Sequence, residues 1–239
     1  MKIKYFEKGF NYSQDGPGNR LVYHLQGCNM KCPWCSNPEG MQIGREVFSS
    51  TVEELTEEIK SCAPMFFCGG GVTFTGGECT LQNEALIEVI ERLKESGISV
   101  AIESNASTSK FRELALKCDY IIVDYKSPDA EKLRLITGGD LSVIEENIRK
   151  ILKEKSVHIR IPLIHGFNDD DVSFKGFINF FTSLNGQFDV EILMYHEYGK
   201  VKWGQMGLEY KMTDGFVSSE CEKQLTEYLQ NNGIKITKS

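Results

Sequence analysis

The sequence predicts an α/β fold built on a parallel sheet. Short apolar runs of strand composition alternate with longer amphipathic stretches, and the alternation repeats six times. A chain of 239 residues suits a single domain of this kind and buries most of the surface its unfolded form exposes. The polar residues Cys28, Glu78, Glu103, Asp124 and His196 fall at or just beyond the carboxyl ends of the apolar runs, where parallel sheets carry their sites. Arg160 is the exception and lies inside its run. Connections of this length imply right-handed crossovers between parallel strands. A barrel and an open doubly wound sheet both satisfy the pattern.

The elements follow in order. RLVYHLQ (20–26) reads as the first strand, and a cysteine-bearing loop follows it. Val52 to Lys60 is acidic and periodic, a helix that Ser50 or Thr51 can cap. GVTFT (71–75) is the second strand and ends in a Gly-Gly-Glu turn. Asn83 to Glu95 is a helix stopped by Gly97, and SVAIES (99–104) is the third strand. Lys110 to Lys117 reads as helix and YIIVDYK (120–126) as the fourth strand. Leu141 to Lys153 is a helix entered from Asp140, and VHIRIPLI (157–164) is the fifth strand. Ser173 to Leu184 is helical and FDVEILMY (188–195) is the sixth strand. Gly215 to Gln230 forms a last helix and IKIT (234–237) a short last strand. No repeat, low-complexity tract or linker divides residues 1–239, so one domain is expected.

Composition narrows the function classes. With 27 Lys and Arg against 34 Asp and Glu, the net charge of −7 argues against nucleic acid as the partner. The amino-terminal residues have neither the apolar core nor the cleavage site of a signal peptide, and no run approaches the ~20 apolar residues of a membrane span. Eight cysteines, several clustered, point in an enzyme-sized chain to metal binding or catalysis rather than disulfides. A reducing, cytoplasmic setting is expected.

Cys28, Cys32 and Cys35 stand in the run QGCNMKCPWCSNPEG with the spacing C-x3-C-x2-C. Three thiolates hold three irons of a [4Fe–4S] cube and leave the fourth iron open to another ligand. A zinc site or an electron-transfer cluster is the alternative. Zinc would want a fourth protein ligand, and His24, four residues upstream, sits inside the strand.

The spacing, with Trp34 just before the third cysteine, resembles the signature of the radical S-adenosylmethionine (radical SAM) superfamily. The segments SQDGPGNRL, GCNMKCPWCSNPEG, GGGVTFTGGE, VDYKSPD, IRIPLIHGFNDDD and ILMYHEYGKVKW occur in the order found in glycyl-radical-enzyme activating enzymes. They cover roughly residues 10 to 210. The resemblance implies a partial (β/α)6 TIM-like barrel. It also implies one [4Fe–4S] cluster on Cys28, Cys32 and Cys35, whose open iron binds the amino and carboxylate groups of SAM. Reductive cleavage of SAM then gives a 5′-deoxyadenosyl radical that takes a hydrogen from the Cα of a glycine in a partner glycyl radical enzyme. A flavodoxin or ferredoxin electron donor and a monomeric chain are expected with it. Its rivals are a radical SAM enzyme acting on another peptide or a small molecule, and an electron-transfer iron–sulfur protein.

The same resemblance assigns residues. Trp34 lies beside the cluster and the adenine. Gly76, Gly77 and Glu78 meet the SAM ammonium, although such a glycine pair is also an ordinary turn. Cys79 stands where the family has proline. Glu103, Ser104 and Asp124 match a monovalent-cation site (Na+ or K+) near the SAM carboxylate, and the longer Glu103 carboxylate puts that cation in doubt. Arg160 and His196 are candidate SAM contacts. Arg160, in an apolar run, needs an anionic partner. Asp15 and Lys126 are the candidate catalytic residues. Asp15 opens a DGPG string that is first of all a turn, and in the family it meets the incoming glycyl loop. His158 and His165 read as structural. Between SNPE and GGG only Cys62 and Cys68 occur, too few for the auxiliary clusters of a ferredoxin-like insert.

Overall fold

A computed structural model describes residues 1–43 and 48–238. Its contacts divide the chain into two compact units. The first comprises residues 1–29, 39–104 and 108–122; the second comprises 30–38, 105–107 and 123–239. The architecture is mixed α/β with a parallel, open sheet, as in the partial barrel the resemblance implies.

In the first unit the strand order is β3-β1-β2-β4-β5, ending at the first residues of β6. The strands are β1 (Lys2–Tyr12), β2 (Asn19–Leu25), β3 (Phe48–Thr51), β4 (Gly71–Gly76), β5 (Ser99–Ser104) and β6 (Tyr120–Asp124). β1 runs antiparallel to both β2 and β3, while β2, β4 and β5 are parallel. Strands β1 and β3 are additions to the sequence reading. β1 has no alternating pattern, because its second half is exposed on successive residues rather than every other one. Helix α1 (Val52–Ser61) starts on the expected Thr51. Its hydroxyl accepts from the Glu54 amide while the Glu54 carboxylate accepts from the Thr51 amide, a reciprocal cap. Helix α2 (Asn83–Glu95) has the expected bounds and is followed by Gly97 at φ +69°, a left-handed position glycine fills without strain. Leu55 and Ile59 of α1 and Leu86, Val89 and Leu93 of α2 are fully buried. Buried Val72, Phe74, Val100 and Ile102 lie on β4 and β5, the near-continuous apolar pattern of a sheet covered on both faces. The short helix α3 (Phe111–Ala115) completes this unit.

Arg20 anchors the start of β2. It is fully buried, and Nε donates to Thr73 Oγ1 at 2.7 Å. Nη2 donates to the carbonyls of Val72 (2.7 Å) and Ser99 (3.2 Å), and Nη1 to those of Pro17 (3.2 Å) and Gly69 (3.4 Å). Burial lowers its pKa to about 10, against the pull of Asp119 and Asp15, so it stays charged at neutral pH. The guanidinium thus stitches the DGPG turn to β4 and β5. Arg20→Met removes a donor from several buried acceptors at once, and each one left unmet costs about 1–3 kcal/mol. The expected result is a stability loss of roughly 3 kcal/mol or more, read from the denaturation midpoint. An unchanged midpoint would contradict the anchoring role.

In the second unit the strands β7 (Val157–Leu163), β8 (Phe188–Met194) and β9 (Ile236–Thr237) pair in parallel. Helices α4 (Ala130–Thr137) and α5 (Leu141–Ile151) precede β7, and α6 (Asp171–Thr182) joins it to β8. Helix α7 (Lys200–Gln205) follows β8, and α8 (Ser219–Asn231) leads to β9. The short helices α4 and α7 were not read from the sequence, and the last helix starts at Ser219 rather than Gly215. Asp140 caps α5 as expected, its carboxylate accepting from the Ser142 amide. The core centres on Tyr125, whose ring stacks on Phe180 at 4.5 Å and meets Phe177 and Phe181 of α6. Its hydroxyl donates to Glu145 at 2.8 Å, which satisfies the one polar atom that burial strands there. Among the described residues no helix is long and apolar enough to cross a membrane.

Candidate active site

The first unit gathers the Gly-Gly-Glu turn and the start of the cysteine loop. β2 and β4 pair in register up to Leu25 and Gly76, so the segments leaving them run side by side. The Gly77 amide donates to Leu25 O (2.9 Å) and the Glu78 amide to Gly27 O (2.7 Å). The carbonyl of Gly27, the residue before Cys28, is therefore bonded into the turn. The Gly27 amide in turn donates to Gly40 O at 2.8 Å. Two glycines are required here. Gly76 sits at φ +101°, and a Cβ on Gly77 would lie 2.1 Å from Gly27 O.

Glu78 is fully buried. Its Oε1 accepts from the Thr80 amide (3.1 Å), Thr80 Oγ1 (2.7 Å) and Ser104 Oγ (2.7 Å). The carboxylate is thus fixed in place on the turn. Glu103, next to Ser104, accepts from Thr75 Oγ1 at 2.8 Å. Cys79 is buried against Glu78 Oε1 and Glu103 O, and burial pushes its thiol well up, with Glu78 adding to the shift. It behaves as a neutral space-filler beneath the turn. Asp15 lies in the β1–β2 turn. Its backbone carbonyl accepts from Thr73 Oγ1 (2.7 Å), three residues before Gly76 on β4, and its side chain accepts from Asn11 Nδ2 (2.5 Å).

The second unit gathers Cys32, Trp34, Cys35, Asp124, Lys126, Arg160 and His196. Cys32 is buried, and the Cys35 amide donates back to its carbonyl at 3.1 Å, so the C-x2-C stretch is a turn. Lys126 Nζ donates to Asp124 Oδ2 at 2.6 Å. Burial raises the Cys32 thiol. Lys126 opposes that shift and Asp124 reinforces it, so this pair stands in the field of the second cysteine. The Lys126 carbonyl is held by the buried Asn168 side chain (2.8 Å). Trp34 packs its ring on Phe167 with centroids 4.6 Å apart.

Arg160 has the carboxylate its burial demands. Its Nε donates to Glu191 Oε2 at 2.9 Å, from the position directly opposite on β8. The same Oε2 meets His158 Nε2 at 3.1 Å, and His158 Nδ1 meets Asp189 Oδ1 at 2.5 Å. Burial alone would lower the His158 pKa, but the bonds to Glu191 and Asp189 outweigh it and raise the group above its ordinary value. The Tyr125 amide donates to Arg160 O at 2.8 Å. His196 follows β8 and stacks on the Tyr198 ring at 4.2 Å, and burial pushes its imidazole down, favouring the neutral form. Sequence reasoning missed Glu191, Thr75, Thr80 and Asn168. The first has a signal in cross-strand register; Thr75 and Asn168 lie within the segments GGGVTFTGGE and IRIPLIHGFNDDD without being singled out there, and Thr80 lies outside every such segment.

The residues present suit the group the motif implies. All eight cysteines are thiols rather than disulfides, and Cys35 Sγ accepts from the Asn37 amide at 3.3 Å, the kind of bond that steadies a thiolate ligand. Among the described residues no three His, Cys, Asp or Glu side chains converge as they would on a single ion. Ligands of a cube bind different irons and need no such convergence.

A family model described as "Radical SAM superfamily" matches residues 22–175. The chain belongs to the radical SAM superfamily. It is 34% identical over 210 residues to the pyruvate formate-lyase-activating enzyme of Staphylococcus aureus, a match that covers 84% of each chain. A solved domain of the pyruvate-formate lyase-activating enzyme from Bacteroides vulgatus superposes with a TM-score of 0.59 at 28% identity, covering 71% of this chain and 98% of that one. A radical SAM methyltransferase from Sphaerobacter thermophilus gives a TM-score of 0.69 at 14% identity, covering 98% of this chain and 76% of its own, and shares the fold alone. As a radical SAM enzyme the chain takes a [4Fe–4S] cluster and SAM.

Proposed function

We propose that this radical SAM enzyme is an activating enzyme that abstracts a Cα hydrogen from a glycine loop of a partner glycyl radical enzyme. The observation that carries the reading is the similarity to the Staphylococcus aureus activating enzyme, which spans 84% of both chains and so includes the segments outside the cluster motif. In this proposal residues 1–239 act as one catalytic domain. Cys28, Cys32 and Cys35 hold the cluster, and a bound cluster supplies the single electron that cleaves SAM.

The chain's own residues supply position. The turn Gly76–Glu78 offers backbone carbonyls and a fixed carboxylate to the SAM ammonium, with Ser104 and Thr80 holding that carboxylate in one rotamer. Arg160, tethered by Glu191, and a neutral His196 complete the contacts with the methionine and ribose ends. Trp34 flanks the adenine. Glu103, Ser104 and Asp124 are proposed to bind a monovalent cation near the SAM carboxylate. Lys126 balances the charge of Asp124 there. Asp15 is proposed to hold the glycine loop. Glycine suits the role of substrate because it has no side chain to block approach, and positioning decides which C–H reacts. The chain is proposed to act as a monomer, reduced by a flavodoxin or ferredoxin.

The test mixes the reconstituted enzyme anaerobically with SAM, a reductant and the co-encoded candidate partner. The expected result is 5′-deoxyadenosine together with a doublet glycyl signal in electron paramagnetic resonance. Asp15→Ala weakens that signal and leaves SAM binding intact. Deoxyadenosine formation driven by a small molecule, with a co-encoded candidate that lacks a glycyl radical motif, would overturn the reading in favour of another radical SAM reaction.

A further inference from the structure

Helix α7 and its approach grip the third cysteine in three ways, and no role assigned above involves Gly199, Lys202 or Trp203. Trp203 Nε1 donates to the Cys35 carbonyl at 3.0 Å. Gly199, at the start of α7, is buried against the same carbonyl: a Cβ there would lie 2.5 Å from Cys35 O and 2.7 Å from Ser36 Cα. Lys202 Nζ donates to Asn37 Oδ1 at 3.2 Å, and the Asn37 amide donates to Cys35 Sγ at 3.3 Å. The helix is itself braced. Trp203 meets the Tyr210 ring edge-on at 5.8 Å, and Tyr210 shares a 2.7 Å hydrogen bond with Tyr195, the residue just after β8.

We propose that α7 clamps Cys35 and tunes the cluster through it, with Trp203 the positioning residue and Lys202 acting through Asn37. The proposal rests on the assignment of Cys28, Cys32 and Cys35 as cluster ligands. The turn from Cys32 to Cys35 has one backbone bond of its own, and bonds from outside the ligand set add to the hold on a ligand's direction. The indole N–H fixes the Cys35 carbonyl, and so the orientation of its side chain. The Asn37 N–H draws electron density from the sulfur, and hydrogen bonds to ligand sulfurs stabilise the reduced cluster. Lys202 keeps Asn37 where that bond forms. Only Gly lets α7 approach closely enough, because the atoms a side chain would meet are backbone.

Trp203→Phe keeps the ring against Tyr210 and deletes the donor. Gly199→Ala forces the loop away, and Lys202→Met removes the tie to Asn37. Each variant is reconstituted anaerobically beside the wild type. Three quantities are read: the rate of iron loss to a strong Fe(II) chelator, the midpoint potential of the cluster, and the paramagnetic resonance signal of the reduced form. Severalfold faster iron loss in Trp203→Phe and Gly199→Ala, with a midpoint shifted to more negative values in Trp203→Phe and Lys202→Met, is the expected result. Iron loss and midpoint equal to wild type in Trp203→Phe and Lys202→Met overturn the clamp, even if a lowered melting temperature shows that packing was disturbed. If Gly199→Ala does not fold, those two variants decide. A wild-type chain that takes up no cluster overturns the ligand assignment itself, an outcome distinct from variants that match a loaded wild type.

Discussion

Cys32→Ala is expected to yield a folded chain that no longer retains a full, SAM-responsive [4Fe–4S] cluster. The motif supplies three thiols, and a cube that binds SAM at its fourth iron leaves none to spare. Cys32 is the most deeply buried of the three, at 8% exposure, and its thiol stands in the field of Lys126 and Asp124. Alanine removes one sulfur from a site already short of a fourth protein ligand, and solvent is a poor replacement in a buried position. Iron and sulfide analysis after anaerobic reconstitution is the first measurement. The change that SAM induces in the resonance signal of the reduced cluster is the second. Cys221→Ala serves as the control, because that thiol lies on α8, outside the motif. Retention of a full, SAM-responsive cluster by Cys32→Ala would remove Cys32 from the ligand set.

The parts of the fold with a strong period were legible in the sequence. β2, β4, β5 and β7 are short, mostly buried apolar runs in parallel pairing, so composition marks them, whereas β8 is only half-buried and is marked by its branched residues Val190, Ile192 and Leu193. α1, α2 and α5 each carry a periodic apolar face; α1 and α5 also start on a capping side chain, Thr51 and Asp140, while α2 begins at Asn83 with no side-chain cap and is marked by its period alone. β1 and β3 were missed for a physical reason. β1 pairs antiparallel with β2 on one side and with the four-residue β3 on the other, and Lys4, Glu7, Lys8 and Asn11 interrupt the apolar pattern of β1 where it faces water. Helices of six or eight residues, such as α7 and α4, show too few turns for a period to emerge.

The candidate site is marked in the sequence wherever its residues stand in a contiguous motif, as in the cysteine run and the Gly-Gly-Glu turn. It was illegible where a partner comes from the neighbouring strand or a distant helix. Arg160 announced by its apolar surroundings that it needed an anion, yet nothing local named Glu191, which the β7–β8 register supplies. Trp203 was visible inside a segment that resembled the family. Its bond to Cys35, 168 residues away in sequence, belongs to the tertiary fold alone.

Gly77→Ala is expected to weaken SAM binding about 10- to 100-fold, the equivalent of the roughly 1–3 kcal/mol that overpacking a well-packed position costs. The argument is steric and local. A Cβ on residue 77 would sit 2.1 Å from Gly27 O, 2.7 Å from Gly27 C and 2.9 Å from Gly40 O, and every one of these is a backbone atom. No rotamer change relieves the clash, so the backbone has to move. The neighbouring bonds are Gly77 N to Leu25 O, Glu78 N to Gly27 O and Gly27 N to Gly40 O, and relief at any of them shifts Gly27, Glu78 or both. Gly27 precedes Cys28, and Glu78 carries the carboxylate that Thr80 and Ser104 hold. One methyl group therefore displaces a proposed SAM contact and the approach to a proposed cluster ligand together. Titration of SAM into the reconstituted, reduced protein measures the affinity. Gly9→Ala is the reference substitution, because nothing lies within 4 Å of a Cβ at that position and its φ is not in the left-handed region. If Gly77→Ala binds SAM as tightly as Gly9→Ala, the turn does not form part of the SAM site.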